Sequence, residues 1–227
     1  MDCGEVMRRL RQLGKPDALE GMSRYCISTK RALGVSIPEL RKLAKEPGKD
    51  PSLAAELWDT GLHEARILAT MIDNPSRVTT DQMERWAKDF DSWDLCDQCI
   101  MSLFALVPGA KRNALEWTTR PEEYVKRAGF VIMARLASSN RRVPDSLFET
   151  FLLLMEREAQ DSRNYVTRGV NWALRETGVR NGQLHARARE SACRFAQSSS
   201  ASARSAGRDA IRDLEHSAAH GHHRNIS

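Results

Sequence analysis

The feature that most constrains the fold is a repeated helical pattern in the second half of the chain. The run YVKRA at positions 124–128 recurs as YVTRG at 165–169, and an apolar helix body follows each copy. Helical segments at 63–68 and 95–100 align with these copies more loosely. All-helical repeats spaced by roughly 30–45 residues are typical of α-solenoids of the HEAT type.

Helix start signals extend this pattern over nearly the whole chain. A Ser or Thr followed three residues later by Glu or Gln forms a capping box, and proline favours the first turn of a helix. The predicted starts are Ser36 with Glu39, Thr79 with Gln82, Thr119 with Glu122, Pro51 and Pro144, with Asp161 as a candidate cap for a helix over 165–177. No segment alternates apolar and polar residues long enough to predict a strand.

We therefore predict an all-α fold, an α-solenoid of HEAT-like helical repeats (an α-α superhelix) with a concave, basic face. In such a stack the residue at the start of each second helix recurs on the concave surface. The residues at these positions are Arg66, Asp97, Arg127 and Arg168. The alternative is an irregular helical bundle, which would have no repeated surface.

The composition is that of a globular protein with a basic surface. The chain has 227 residues, which is long enough for one sizeable core or two small domains. Hydrophobic residues make up 41% and charged residues 29%. The net charge of +5 and the pI of about 9.1 favour an anionic partner such as nucleic acid. No apolar run approaches the ~20 residues of a membrane span, and the N-terminus lacks the layout of a secretion signal. We therefore expect a cytoplasmic protein with no membrane partner.

The C-terminal part of the chain differs in composition from the rest. We predict a single domain over 1–197, then a linker and a possible terminal helix over 198–216, because 198–203 is rich in Ser and Ala. Residues 208–216 are the candidate helix within that region. The His-rich segment 217–227 is predicted to be a disordered tail. Nothing arranges its histidines into a metal site.

The cysteines favour a structural interpretation. The chain has five, an odd number for a disulfide framework, and Cys96 and Cys99 form its CxxC. No second pair or histidine lies at zinc spacing, and a redox CxxC would need a preceding strand. We therefore predict two buried helical thiols and no metal site. P-loop and GxGxxG patterns are absent, so we expect no cofactor either.

Trp93 and Asp97 form the most suggestive pair of polar and aromatic residues. If their segment is helical, they are separated by i, i+4 and share one face. An aromatic plane beside a carboxylate suits a flat cationic ligand. The competing interpretation is a tryptophan that packs the core beside an aspartate that starts a helix, and Asp94 is the rival carboxylate for such a role. Trp58, Trp86 and Trp117 are expected in the core.

Four pieces of sequence, in order over residues 5–195, resemble a known family. They are Met22–Tyr25 followed by Leu33–Arg41, Glu56–Asp59 with His63-Glu64, Ser92–Asp97, and Lys126–Ala128 with Val170–Glu176. In these pieces the chain resembles the bacterial DNA alkylation repair proteins of the AlkD type, which are HEAT-like-repeat DNA glycosylases. Two departures stand out. The family often has two adjacent tryptophans where this chain has Ser92-Trp93, and Gly129 and Asn171 are unusual within apolar helix bodies.

The resemblance implies roles for particular residues. Asp97 matches the catalytic carboxylate, and Trp93 and Trp172 match the two tryptophans that flank the damaged nucleotide. Tyr25 matches a tyrosine of the same pocket, and Arg127 matches an active-site arginine near the DNA backbone. Arg175 matches a further arginine that contacts the backbone. Apart from the resemblance, other basic residues could line the concave face and contact phosphate, namely Arg168, Arg41, Lys126, Lys30, Arg31, Lys42 and Arg66.

The resemblance also implies an activity. The protein would act as a monomer and as a monofunctional glycosylase on duplex DNA that contains N3- or N7-alkylated purines, with the lesion still stacked. Such a base is cationic and leaves readily, while Asp97 would stabilise the oxocarbenium-like sugar and orient water. Two alternatives stay open. One is a non-catalytic DNA-binding module of the same fold, and the other is a protein-binding helical scaffold.

Overall fold

The computed structural model describes residues 1–139 and 143–219, which contain thirteen α-helices, one 3-10 turn and no β-strand. The predicted all-α fold is confirmed. The chain divides into two compact units, Met1–Pro108 and Gly109–Ser227, so the packing of the helices is described separately for each unit. The predicted domain boundary at residue 197 stays a prediction.

The first unit holds seven helices and the 3-10 turn. Its core includes the stacked indoles of Trp58 and Trp86, whose ring centroids lie 4.0 Å apart with planes inclined by 2°. Both side chains are buried, as is Trp117 in the second unit, which confirms the core interpretation of these three residues. The helices are α1 (Cys3–Leu13), α2 (Pro16–Arg24), α3 (Ile37–Leu43), α4 (Pro51–Asp59), α5 (His63–Ile72), α6 (Thr80–Lys88) and α7 (Trp93–Ser102), followed by the turn Phe104–Leu106.

The second unit is built around a long buried helix. Its helices are α8 (Ala110–Trp117), α9 (Glu123–Ser139), α10 (Asp145–Glu158), α11 (Asn164–Gly178), α12 (Gly182–Ala196) and α13 (Ala201–Ala219). The two copies of the sequence repeat lie side by side on α9 and α11, with the rings of Tyr124 and Tyr165 5.6 Å apart. The repeat therefore corresponds to two helices that pack on each other.

Gly129 marks a close approach of α8 and α9. A Cβ at this position would lie 2.9 Å from the backbone nitrogen of Thr118 and 3.2 Å from the carbonyl oxygen of Ala114. Only glycine leaves room for that backbone. The glycine that looked out of place in an apolar helix body therefore has a packing reason.

The helix starts agree with the sequence in part. Thr79 caps α6, with its hydroxyl accepting from the Gln82 N–H at 3.2 Å, as predicted. Ser36 occupies the N-cap of α3, but its hydroxyl donates to the Glu39 carboxylate at 3.0 Å instead of capping the backbone. Pro51 and Pro144 lie at or directly before the first residues of α4 and α10.

Two predicted caps are wrong. Helix α9 begins at Glu123, and the Thr119 hydroxyl instead donates to the Glu116 carbonyl at 2.9 Å, where it completes the end of the preceding helix. The N-cap of α11 is Arg163, and the Asp161 carboxylate is taken up by that arginine and by Lys126. In both cases a side chain that suits a helix cap forms a different hydrogen bond or ion pair nearby.

The C-terminal helix is longer than the sequence indicated. Helix α13 begins at Ala201, inside the predicted linker, and buries Ala203, Ala206, Ala210 and Leu214. Asn171 donates from Nδ2 to the Ala206 carbonyl at 2.8 Å, which explains a polar residue in the apolar body of α11. Residues 217–219 of the predicted tail belong to this helix, and 220–227 lie outside the described residues.

Three further properties concern the described part of the chain alone. None of its helices combines the length and apolar character needed to cross a bilayer. Cys96 and Cys99 are buried on α7 as predicted, and burial raises the pKa of the Cys99 thiol well above its usual value. Within residues 1–139 and 143–219, no group of three His, Cys, Asp or Glu side chains is placed to hold a metal ion.

Candidate functional site

Helix α7 has one buried face and one half-exposed face. Leu95, Cys96, Cys99 and Ile100 turn inward. Trp93 and Asp97, four residues apart, both lie on the partly exposed side. The carboxylate and the aromatic plane predicted to form a pair therefore do share a helix face.

Tyr25 joins Trp93 through its backbone. The indole Nε1–H of Trp93 donates to the Tyr25 carbonyl at 2.8 Å, although the two residues are 68 positions apart. The Tyr25 side chain is 71% exposed, which is unusual for a large aromatic residue. The structure thus brings together three predicted site residues within the first unit, namely Tyr25, Trp93 and Asp97.

The chain around Tyr25 carries backbone strain. Tyr25 ends α2, and Cys26 follows it with a φ of 56°, the left-handed conformation that usually selects glycine. The Ile27 N–H donates to the Met22 carbonyl at 3.0 Å and the Cys26 N–H to the Ser23 carbonyl at 2.9 Å, which is the pattern of a Schellman motif. A non-glycine residue there costs about 1–2 kcal/mol. Such strain is often found at functional sites.

Asp94, the rival carboxylate, is engaged in holding the helix. Its Oδ2 lies 2.9 Å from His63 Nε2 on α5, and its Oδ1 accepts from the Ser92 hydroxyl at 2.7 Å. Burial opposes ionisation of the Asp94 carboxyl, but the hydrogen bonds from His63 and Ser92 outweigh it and lower its pKa. Burial also disfavours a charged imidazole, yet Asp94, helped by Glu64 and Asp91, raises the pKa of His63. Asp94 therefore serves as half of an ion pair that joins α5 to α7.

Glu64 has a structural role that the sequence did not reveal. Its carboxylate is buried and accepts from the backbone N–H groups of Leu33 at 2.9 Å, Gly34 at 2.7 Å and Val35 at 3.3 Å. The neighbouring His63 N–H donates to the Arg31 carbonyl at 2.8 Å. The start of α5 thus fixes the segment between α2 and α3, which satisfies backbone groups that no helix would pair. The only sequence signal was the position of His63-Glu64 inside a family-like piece.

Arg127 and Lys126, both predicted to contact the DNA backbone, lie buried on α9. Arg127 is 5% exposed and donates from Nη1 to the Tyr165 carbonyl at 2.8 Å. The Lys126 ammonium lies 2.6 Å from a Glu158 oxygen and 2.9 Å from an Asp161 oxygen. Lys126 is thus committed to two carboxylates, and its availability to phosphate is lower than the sequence suggested.

The carboxylates around Lys126 form one charged network. The hydrogen bond from Arg163 works against the cost of burial and, together with the bond from Lys126, lowers the pKa of Asp161 far below its usual value. Burial opposes ionisation of Glu158, but bonds from Lys126 and Arg157 lower the pKa of that carboxyl too. This network ties α9 to the chain between α10 and α11, so its primary role is structural.

The other candidates of the second unit lie along α11. Trp172 is half-buried, and its indole N–H donates to the Glu176 carboxylate at 3.3 Å. Arg175 pairs with Asp213 of α13. Arg168 is exposed and donates from Nε to the Asn164 side chain at 3.2 Å. In the first unit, Arg41 lies exposed on α3.

Comparison with known proteins identifies the family. Two curated relatives, uncharacterized proteins of Listeria innocua and Listeria monocytogenes, are each 23% identical over 190 residues, which cover 82% of this chain and 78% of theirs. One solved structure matches 98% of this chain and 96% of its own at 20% identity and a TM-score of 0.79. It is described as a new family of proteins related to the HEAT-like repeat DNA glycosylases with affinity for branched DNA structures. At that identity the likeness shows the fold alone, and it confirms the HEAT-like architecture.

The family model gives the broader result. It is described as DNA alkylation repair enzyme and matches residues 6–214, nearly the whole chain. The protein therefore belongs to the DNA alkylation repair enzyme family.

Proposed function

We propose that the protein is a monofunctional DNA glycosylase that hydrolyses the N-glycosidic bond of cationic N3- or N7-alkylated purines in duplex DNA. The observation that supports this most is the helix face that Trp93 and Asp97 share. Asp97 lies on the half-exposed side of α7 beside Trp93, and Asp94 joins α7 to α5 through His63. Family membership supports the reaction class.

The chemistry needs little beyond a carboxylate and a surface that favours cations. The bond between the sugar C1′ and the purine nitrogen breaks, and its electron pair neutralises the positive charge on the base. The sugar gains oxocarbenium character, which the Asp97 carboxylate stabilises electrostatically. A water oriented by Asp97 then attacks C1′, and its proton passes to the Asp97 carboxylate and from there to solvent.

The aromatic residues supply selectivity for charged damage. A cation over a tryptophan face gains about 0.5–2 kcal/mol, so Trp93 favours an alkylated purine over a neutral one. The exposed ring of Tyr25 offers a second face to the same ligand. The resemblance supports a reaction in which the lesion stays stacked. Trp172 as a lesion contact and Arg127 and Arg175 as backbone contacts remain predictions from the resemblance. The backbone contacts of Arg168 and Arg41 remain predictions from the basic face.

Release of 7-methylguanine from a methylated duplex tests the proposal. Asp97→Asn removes the negative charge and should lower the rate of release by at least about 100-fold, while DNA binding is retained. Asp91→Asn, which alters an exposed aspartate beside the same helix, is the matched control and should release base at the wild-type rate. Wild-type release by the Asp97→Asn variant would rule out the assigned carboxylate. We also propose that the protein is a monomer that acts on DNA in the cytoplasm. Light scattering of the protein alone and with a bound duplex measures how many copies of the chain are present.

The second candidate is a DNA-binding protein without catalysis. It is favoured by the solved relative, which belongs to a family with affinity for branched DNA structures. The same experiment separates the two functions. Tight, salt-sensitive binding without base release, and with a preference for a four-way junction over a linear duplex, would select the binding module.

A further inference from the structure

We propose that Arg31, together with Lys30, forms a binding site for DNA backbone phosphate in the first unit, and that Gly61 positions the Arg31 guanidinium. This rests on the proposed function only in taking DNA as the ligand. The two cations follow Tyr25 closely in the segment between α2 and α3, and the sequence indicated them only as basic residues that could line the concave face. Both side chains are exposed, their segment is held at both ends, and the Arg31 guanidinium lies against Gly61.

Lys30 and Arg31 are exposed cations with no carboxylate partner. Among the described residues, no ion pair or side-chain hydrogen bond involves either one. Three other cations of this unit are engaged: Arg24 with Glu20, Arg9 with Glu46, and Arg66 with Asp89. A phosphate contact requires a cation whose charge is not already neutralised.

The segment that carries these cations is held firmly at both ends. At one end, the Tyr25 carbonyl accepts from Trp93 Nε1 at 2.8 Å. At the other, the Arg31 carbonyl accepts from the His63 N–H at 2.8 Å, and Glu64 holds the backbone of 33–35. A cation on a fixed backbone loses less conformational entropy on binding than one on a mobile loop.

Gly61 places the guanidinium of Arg31. Its φ is +69°, and a Cβ built on it would lie 2.7 Å from Arg31 Nη1 and 3.8 Å from Cδ and Cζ. The guanidinium therefore lies against the bare backbone of the turn after α4. An alanine there would displace the charged group without removing its charge.

The chain offers a matched control for this position. Gly48 has a φ of +66°, and a Cβ there would meet nothing within 4 Å. Gly48→Ala thus imposes the same backbone strain as Gly61→Ala but leaves Arg31 untouched. Any difference in DNA binding between the two variants reports the position of the guanidinium.

The experiment is a salt series of binding to a labelled linear duplex, measured by fluorescence anisotropy. Arg31→Gln should weaken binding about 5- to 10-fold at moderate salt and reduce the slope of log affinity against log salt by about 0.9. Lys30→Gln should act in the same direction. Lys45→Gln, at an exposed lysine with no partner in the described structure, is the charge-matched control and should leave the slope unchanged. Gly61→Ala should weaken binding several-fold, whereas Gly48→Ala should not.

Three results would overturn the site. They are an unchanged salt slope in Arg31→Gln, equal losses in the two glycine variants, and a wild-type protein that does not bind DNA. The glycosylase proposal fails separately. A wild-type protein that binds with the expected slope but releases no base would remove the catalytic function and leave the phosphate site standing.

Discussion

The two units treat their predicted DNA-facing residues differently. In the first, Asp97 and Trp93 lie on a half-exposed helix face, Tyr25 projects its ring outward, and Lys30 and Arg31 carry exposed charges. In the second, Lys126 is neutralised by two carboxylates and Arg175 pairs with Asp213. The position of a functional residue can therefore be inferred from a relative more safely than its availability to DNA. Availability depends on neighbouring side chains that the sequence motif does not include.

The largest effect in this comparison is expected from the network of the second unit. Lys126→Ala leaves the largely covered Glu158 and Asp161, whose side chains are 16% and 10% exposed, without their ammonium partner, which should lower the free energy of unfolding by about 3 kcal/mol. Urea denaturation measures the loss, with Lys111→Ala at an exposed lysine of the same unit as the control. Full stability of Lys126→Ala, together with a smaller salt slope of DNA binding, would instead show that Lys126 contacts phosphate. The second unit would then not differ from the first in the availability of its cations.

A smaller effect is expected from the ion pair of the first unit. Asp94→Asn should cost about 2 kcal/mol near pH 5.5, because a buried hydrogen bond between charged groups is lost. The raised pKa of His63 contributes stability that is complete below 6.5 and is lost as the pH rises through the folded-state value. The lowered pKa of Asp94 contributes above 3.8 and is lost as the pH falls.

The difference in stability between wild type and Asp94→Asn should therefore be largest between about pH 4 and 6.5 and shrink at pH 8.5. Denaturation of both proteins across this range measures it. His63→Gln should remove the same pH dependence. A difference that grows toward alkaline pH would contradict the assigned directions.

The smallest effect concerns the strain after Tyr25. Cys26→Gly should stabilise the first unit by about 0.5–1 kcal/mol, since relief of the left-handed strain exceeds the added freedom of the unfolded chain. Cys26→Ala keeps the strain and loses the thiol, so it should not stabilise. Thermal unfolding of the two variants separates backbone strain from thiol chemistry, and equal melting temperatures would argue against stored strain.

The sequence predicted local relations better than distant ones. Helical periodicity placed Trp93 and Asp97 on one face, and the structure has them there. The sequence also predicted that Trp58 and Trp86 are buried, because a tryptophan in a helix usually packs in the core. Such relations span one or two helical turns, which is the range over which residue spacing carries information.

What the sequence could not supply were partners far along the chain. Glu64 is 31 residues from Leu33, and its role depends on a loop that no helix signal describes. Lys126 looked like a basic surface residue because Glu158 and Asp161 belong to other elements. Gly129 and Asn171 likewise became intelligible only beside Thr118 and Ala206.

The hydrogen bond from Trp93 to Tyr25 has a consequence for evolution. Because the acceptor is the carbonyl of residue 25 and not its side chain, every amino acid at that position offers the same anchor to the indole. The side chain at 25 can then be exchanged without loosening α7 from the preceding segment. Single substitutions at position 25 would thus change the surface beside Trp93 while the anchor of α7, and with it the position of Asp97, is inherited unchanged.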